Sequence, residues 1–180
     1  MGLKDDSGFT LLEVVVILAL ISVLMLMTVP RIVRSVRSAD ENGKIFRSTI
    51  ERTISDSIIN AKNNFIVFHV QKNGERIKEF SSRQNGISVL NFDGNGFKES
   101  PVPALSYKQF PDSFAIESVI AGRGQILDSG DIIVSVYPDG KTETLVVRIR
   151  NNDKTVNYRL SNGEITQSND ENTENAYLSK

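Results

Sequence analysis

The sequence predicts an α+β fold: a long N-terminal helix, its first half apolar and its second half amphipathic, packed on antiparallel β-sheet. Three observations carry this. Residues 9–29 are apolar almost throughout. Apolar residues then recur at helical spacing to about residue 63, and beyond Asn64 the period changes from 3.6 to 2.

The first element is Gly8 to Pro30, GFTLLEVVVILALISVLMLMTVP. A helix over 9–29 is about 30 Å long at 1.5 Å per residue. That matches the hydrocarbon thickness of a bilayer, so residues 9–30 read as a transmembrane helix. A cleaved secretory signal would have a shorter apolar region and a small-x-small site after it. Here Thr28, Val29, Pro30 and Arg31 follow instead. Glu13 stands near the start of the run. A carboxylate in lipid costs about 3 kcal/mol on the most lenient scale, so it asks for a partner. The cation available in sequence is an α-amino group created by a cut after Gly8. Phe9 and Glu13, four apart, share a helix face.

Gly8-Phe9-Thr10-Leu11-Leu12-Glu13 followed by an apolar helix resembles the prepilin signature of type IV pilins and type II secretion pseudopilins. The resemblance implies a pilin-like fold. It also implies cleavage between Gly8 and Phe9 by a prepilin peptidase, N-methylation of Phe9, and a role in assembly for Glu13, which meets a neighbour's N-terminus in a helical filament. Pro30 falls where many pilins have a helix-kinking proline. The implied partners are other pilins or pseudopilins, the peptidase and an inner-membrane assembly platform. The implied location is a single pass in the inner membrane with the C-terminal domain in the periplasm, then a pseudopilus. The leader, residues 1–8 (MGLKDDSG), departs from the usual basic type. Arg31, Arg34 and Arg37 follow the span, and a charge count alone would put the C-terminal side in the cytoplasm.

Past the leader and span, about 150 of the 180 residues remain, enough for one compact domain. The net charge of −1 draws it to no polyanion as a whole. The absence of cysteine excludes disulfides and thiolate metal sites. One histidine and no tryptophan argue against histidine metal clusters and stacking platforms.

Pro30 removes one helical hydrogen bond and is expected to kink the helix without ending it. An amphipathic helix over 31–64 follows, with Phe46, Ile50, Ile54, Ile58 and Ala61 as an i, i+4 ladder whose plain reading is core packing. Gly43 and the polar run Ser38–Lys44 predict an interruption. The β-rich domain spans 65–166. Phe65–Gln71 and Arg76–Phe80 flank Lys72-Asn73-Gly74-Glu75, a tight-turn signal for a hairpin. Ile87–Phe92 is a third strand and Asp93–Gly96 a turn. Ser100–Asp112, with three prolines, reads as an irregular loop. Phe114–Ile120, Asp131–Tyr137, Glu143–Arg150, Thr155–Leu160 and Glu164–Thr166 are further strands, in one sheet or two. Residues 167–180 are polar and acidic and read as a disordered tail. The run Tyr137-Pro138-Asp139-Gly140, two strands, then Asn162-Gly163-Glu164-Ile165 is similar to the C-terminal part of H-type minor pseudopilins and related minor pilins.

No catalytic, cofactor or metal site is expected. His69 lies within a strand pattern and reads as a strand-face residue, since no base is paired with a nucleophile in sequence. Gly122-Arg123-Gly124 is a loop. Asp93-Gly94-Asn95-Gly96 matches only the opening of a calcium loop and reads as a turn. Arg148, Arg150, Lys154 and Arg159 could form a basic face, but the tail is acidic and aromatics are missing, so a solvated face is the better reading and nucleic acid is not expected as a partner. The function implied is a minor pseudopilin supporting protein export across the outer membrane. The rivals are a minor type IV pilin for assembly, adhesion or DNA uptake, and a signal-anchored periplasmic binding domain.

Overall fold

The computed structural model of the chain describes residues 11–168; the side chains of 25–40 and of Arg123 lie outside that description. The chain divides into two units, parted between Asp40 and Glu41. Helix α1 spans Leu11–Ile59. It continues through Pro30, so the proline does not end the helix. Among the described residues no helix is long and apolar enough to cross a membrane. The apolar run 9–30 reaches beyond them, because residues 9 and 10 and the side chains of 25–30 are not described.

The predicted interruption at Ser38–Lys44 is absent, for α1 is unbroken there. Each polar residue of that run costs a helix only a few tenths of a kcal/mol, about 0.7 at most, and Gly43 about 1. Gly43 has a packing reason. A Cβ there would stand 2.8 Å from the Tyr158 hydroxyl, so only glycine lets the tyrosine close against the helix. One turn later Phe46 is fully buried, with its ring 4.9 Å from Tyr158, 5.9 Å from Phe68, 6.2 Å from Phe110 and 6.3 Å from Phe114. Ile50 and Ile54 continue the buried face. The ladder then fails: Ile58 is 52% exposed, and Ala61 lies past the helix end with φ 46°. What lies against Ile58 is the backbone of a turn at Gly140, not a sheet face. The helix ends where Lys62 N–H donates to Ser57 O, a Schellman-type closure.

Ten strands in two antiparallel sheets follow among the described residues. The first sheet holds β1 (Asn64–His69), β2 (Gly86–Phe92), β3 (Phe97–Glu99), β4 (Lys108–Gln109) and β7 (Asp131–Val136). Its order is β3-β2-β1-β7, with β4 also on β2. The second holds β5 (Phe114–Ala121), β6 (Gln125–Leu127), β8 (Leu145–Asn151), β9 (Lys154–Ser161) and β10 (Glu164–Ser168), in the order β10-β9-β8-β5-β6. Inward residues of both sheets (Ile66, Phe68 and Val134 from the first; Val147, Tyr158 and Leu160 from the second) share one core with Phe46, Ile50 and Ile54 of α1. The fold is α+β, with the second part of α1 packed on antiparallel sheets.

Three sequence expectations fail locally. The irregular loop expected over Ser100–Asp112 holds β4, whose Lys108 and Gln109 stand opposite Ile87 and Gly86 of β2. Arg76–Phe80 is not a strand paired with β1; it holds a 3-10 turn at Lys78–Phe80, and β1 pairs with β2 and β7. The cause is Asp131. Its N–H donates to Glu75 O at 2.9 Å, and its Oδ2 accepts from Ile77 N–H at 2.8 Å. Those backbone groups are thereby unavailable to a β-ladder. At the other end, Gln167 and Ser168, assigned to the tail, close β10 opposite Tyr158 and Asn157. The rest of the tail lies outside the described residues.

Candidate functional site

The N-terminal motif comes first. Gly8 and Phe9 lie outside the described residues. Glu13 is on the first turn of α1, exposed, where a carboxylate complements the helix N-terminus. Around it Leu11, Leu12, Val14, Val15, Val16, Ile17, Leu18, Leu20, Ile21, Val23 and Leu24 are all exposed as well. An apolar helical surface of this extent, open on every side, is unlike that of a soluble monomer, whose apolar patches stay within a few hundred Å².

The second cluster was not foreseen as a cluster. His69, at the end of β1, is fully buried. Its Nδ1 lies 2.7 Å from Asp131 Oδ1, and its Nε2 lies 2.8 Å from Ser88 Oγ. Register explains the meeting, since His69 stands opposite Asp131 on β7 and Ser88 lies two residues along β2 from Gly86, its partner on the other side. A serine, a histidine and an aspartate in line are the geometry of nucleophile, base and orienting acid. Burial decides against that use, because Ser88 is fully enclosed and its Oγ already accepts from Arg83 Nη1 at 2.9 Å. The Asp131 carboxylate can only accept, so the neutral imidazole carries its proton on Nδ1 and donates it there, and Nε2 accepts from the Ser88 hydroxyl. Arg76 Nη1 also donates to Asp131 Oδ1, at 3.1 Å. Arg83 stacks over Phe80 and Tyr107, at 4.3 and 4.7 Å from the ring centres, and pairs with Glu99 at 2.7 Å. The network therefore clamps the segments around Phe80 and Tyr107 onto the outer face of the first sheet. Nothing local in the sequence could pair His69 with a residue 62 positions away.

Burial lowers the His69 pKa from its ordinary value; Arg83 and Arg76 add to this, against the hydrogen bond and charge of Asp131. Below about pH 6.5 the unfolded chain binds a proton that the folded chain refuses, so stability falls as the pH drops. This is the only histidine. Asp56 and Glu99 also have lowered pKa values: in each, burial acts upward but is outweighed, by bonds from Lys62, Asn64 and Asn60 in the first and from Arg83 and the Tyr107 N–H in the second. Stability tied to them is lost only as the pH falls below the ordinary carboxylate range. We expect the unfolding free energy from denaturant titrations to decline from pH 7 to 5.5 by at most about 1.4 kcal/mol per pH unit. A His69→Asn chain, weaker throughout, should show no such slope, and an equal slope in both chains would refute the assignment.

The remaining sequence candidates fall as follows. Asp93-Gly94-Asn95-Gly96 closes the β2–β3 hairpin: Asn95 N–H donates to Asp93 Oδ1 at 3.0 Å, and Lys98 pairs with the same carboxylate. Among the described residues no group of three or more His, Asp or Glu is placed to hold a metal ion. Gly122–Gly124 is a 3-10 turn between β5 and β6. Arg148, Arg150 and Arg159 share the outer face of the second sheet, but Lys154, opposite Asn151, has the inward parity. Arg150 is held by Glu117 at 3.0 Å and by Gln71 at 3.2 Å. The two turn motifs, at Gly140 and Gly163, meet. Gly163 has φ 81°, and a Cβ on it would stand 2.4 Å from Gly140 O, so the paired turns leave no room for a side chain.

A family model described as the prokaryotic N-terminal methylation motif matches residues 3–29. No curated protein sequence matches the chain. The fold is similar to two solved structures of the minor pseudopilin EpsH from the type II secretion system of Vibrio cholerae. One is 9% identical at TM-score 0.54, covering 72% of this chain and 94% of that one. The other is 10% identical at TM-score 0.54, covering 73% and 93%. The chain thus carries the N-terminal methylation motif ahead of a pilin-like α+β fold. Among pilin-like folds, it shares that of the minor pseudopilin EpsH.

Proposed function

We propose that this protein is a minor pseudopilin, a structural subunit of a type II secretion pseudopilus that supports protein export across the outer membrane. The observation that carries the reading is the joint presence of a methylation motif, an apolar helix exposed on all sides, and a β-domain folded like EpsH. In this reading the leader is removed after Gly8 and Phe9 is methylated, so the chain is a substrate of the prepilin peptidase and not itself an enzyme. Residues 9–30 first anchor it in the inner membrane, with the β-domain in the periplasm. The same residues then pack against the helices of other subunits on leaving the assembly platform. Glu13 offsets a neighbour's terminal amine in surroundings of low dielectric.

Intact mass tests this. Protein extracted from membranes is expected to lack Met1–Gly8 and carry one methyl group, only in cells that possess the peptidase. An uncut chain in both strains would overturn the reading. In processed material, deletion of the gene should abolish secretion; loss of surface pili or of DNA uptake with secretion intact would move the assignment to a minor type IV pilin.

A further inference from the structure

We propose that the chain's own C-terminal segment, residues 169–180, docks across the outer face of the second sheet and masks its arginines. Three observations converge on this.

The first is burial on the face turned away from the core. Register puts Ser118, Arg148, Asn157 and Ser168 in one row, and Ile120, Val146, Arg159 and Thr166 in the next. Neither Ile120 nor Val146 belongs to the core cluster, yet they are 5% and 1% exposed. Arginine stems can cover part of such rows. The apolar strip nevertheless opens toward β6, where Ile126, the partner of Ile120, is 51% exposed.

The second is charge. Arg148, Arg150 and Arg159 share this face, and Arg159 also lines a shallow groove with Ser161, Asn162, Glu164 and Thr166. The segment that follows, NDENTENAYLSK, has three acids near its start (Asp170, Glu171, Glu174) against one terminal lysine.

The third is reach. The segment leaves β10 at Ser168, in the same row as Asn157 and Arg148. From β10 to β6 is four strand spacings, about 19 Å. The nine residues from Ser168 to Tyr177 extend to roughly 30 Å. The acids then pass over the arginines of β9 and β8, and Tyr177 and Leu178 reach the apolar strip at Ile120 and Ile126. The segment acts as a tethered polyanion with an apolar end, keeping other acidic chains off this face.

The absence of cysteine makes the test clean. An Ile126→Cys, Tyr177→Cys chain, full length and dilute in detergent, is expected to form an intramolecular disulfide roughly tenfold faster than an Ile133→Cys, Tyr177→Cys control, whose position 133 lies on the first sheet. Adding Arg148→Glu and Arg159→Glu, or raising the salt, should erase the advantage. Equal rates in the two pairs would overturn the proposal. So would a disulfide formed chiefly between two molecules, which would place another copy's segment on the face. As a second measurement, a chain ending at Ser168 should bind heparin more tightly than the full chain, and unchanged retention would refute masking. Neither assay depends on leader processing, so the proposal stands or falls apart from the assignment as a pseudopilin.

Discussion

A Glu13→Ala chain is expected to enter the membrane at least as well as the natural one and to be missing from filaments. Removing the carboxylate relieves about 3 kcal/mol of insertion cost. If Glu13 pairs as proposed, the same change leaves a neighbour's terminal amine unpaired among the apolar helices of the filament. Breaking one partner of a buried pair costs about 3–5 kcal/mol, or roughly two to four decades in subunit association. The effect grows with each contact along the filament, so loss of incorporation should be nearly complete. Glu13→Gln, close in shape but uncharged, should fail similarly, which separates charge from packing. The measurement is the ratio of subunit in sheared filaments to subunit in membranes. Normal incorporation of either variant would end this role for Glu13.

Asn85→Ala is expected to destabilise the β-domain by about 3 kcal/mol, lowering the melting temperature by roughly 6–12 °C. Asn85 is buried just before β2. The two hydrogens of its amide nitrogen are shared among the carbonyls of Phe110, Pro111 and Phe114, all at 3.0–3.1 Å, so one of them is bifurcated, and its Oδ1 accepts from Ile116 N–H at 2.9 Å. One side chain thus ties the first sheet to the segment that begins β5 of the second. Truncation strands a buried backbone donor and several carbonyls together. The residue also has φ 45°, a conformation asparagine tolerates better than alanine. Asn85→Gly should therefore be less damaging than Asn85→Ala by up to about 1 kcal/mol, the difference measuring backbone strain. Asn85→Asp keeps the acceptor for Ile116 but turns a carboxylate toward three carbonyls, and should be at least as harmful as alanine. Thermal unfolding of the detergent-solubilised chain checks the series. A melting temperature within a degree or two of the natural protein would show that the loop at Phe110 is held by other means.

Asn85 also illustrates what a sequence conceals. Nothing local to Gln84-Asn85-Gly86 marks Asn85 as a tie, because its partners lie 25 to 31 residues downstream. The same holds for the His69 network, drawn from β1, β2, β7 and the segments at Arg76 and Arg83. His69 was legible as a strand-face residue; its neighbours were not. The hairpin expected at Lys72–Glu75 failed for a related reason. Asn-Gly is a sound local turn signal, but Asp131, more than fifty residues away, claims the backbone groups that a second strand would have used.

Features that depend on near neighbours could be read from the residues alone. The uninterrupted apolar run, the prepilin-like hexapeptide with its carboxylate, the switch of period at Asn64 and most strand positions all rest on contacts within a few residues, where side-chain type and spacing suffice. The tertiary structure decided what long-range pairing settles. It separated the ten strands of the described residues into two sheets and put β1 between β2 and β7. It gave Gly43 a packing reason, since a Cβ there would stand 2.8 Å from the hydroxyl of a tyrosine 115 residues on. It also moved Lys154 off the arginine face. Those outcomes depend on which strand lies beside which, and a strand's period says which face a residue takes but not what it meets there.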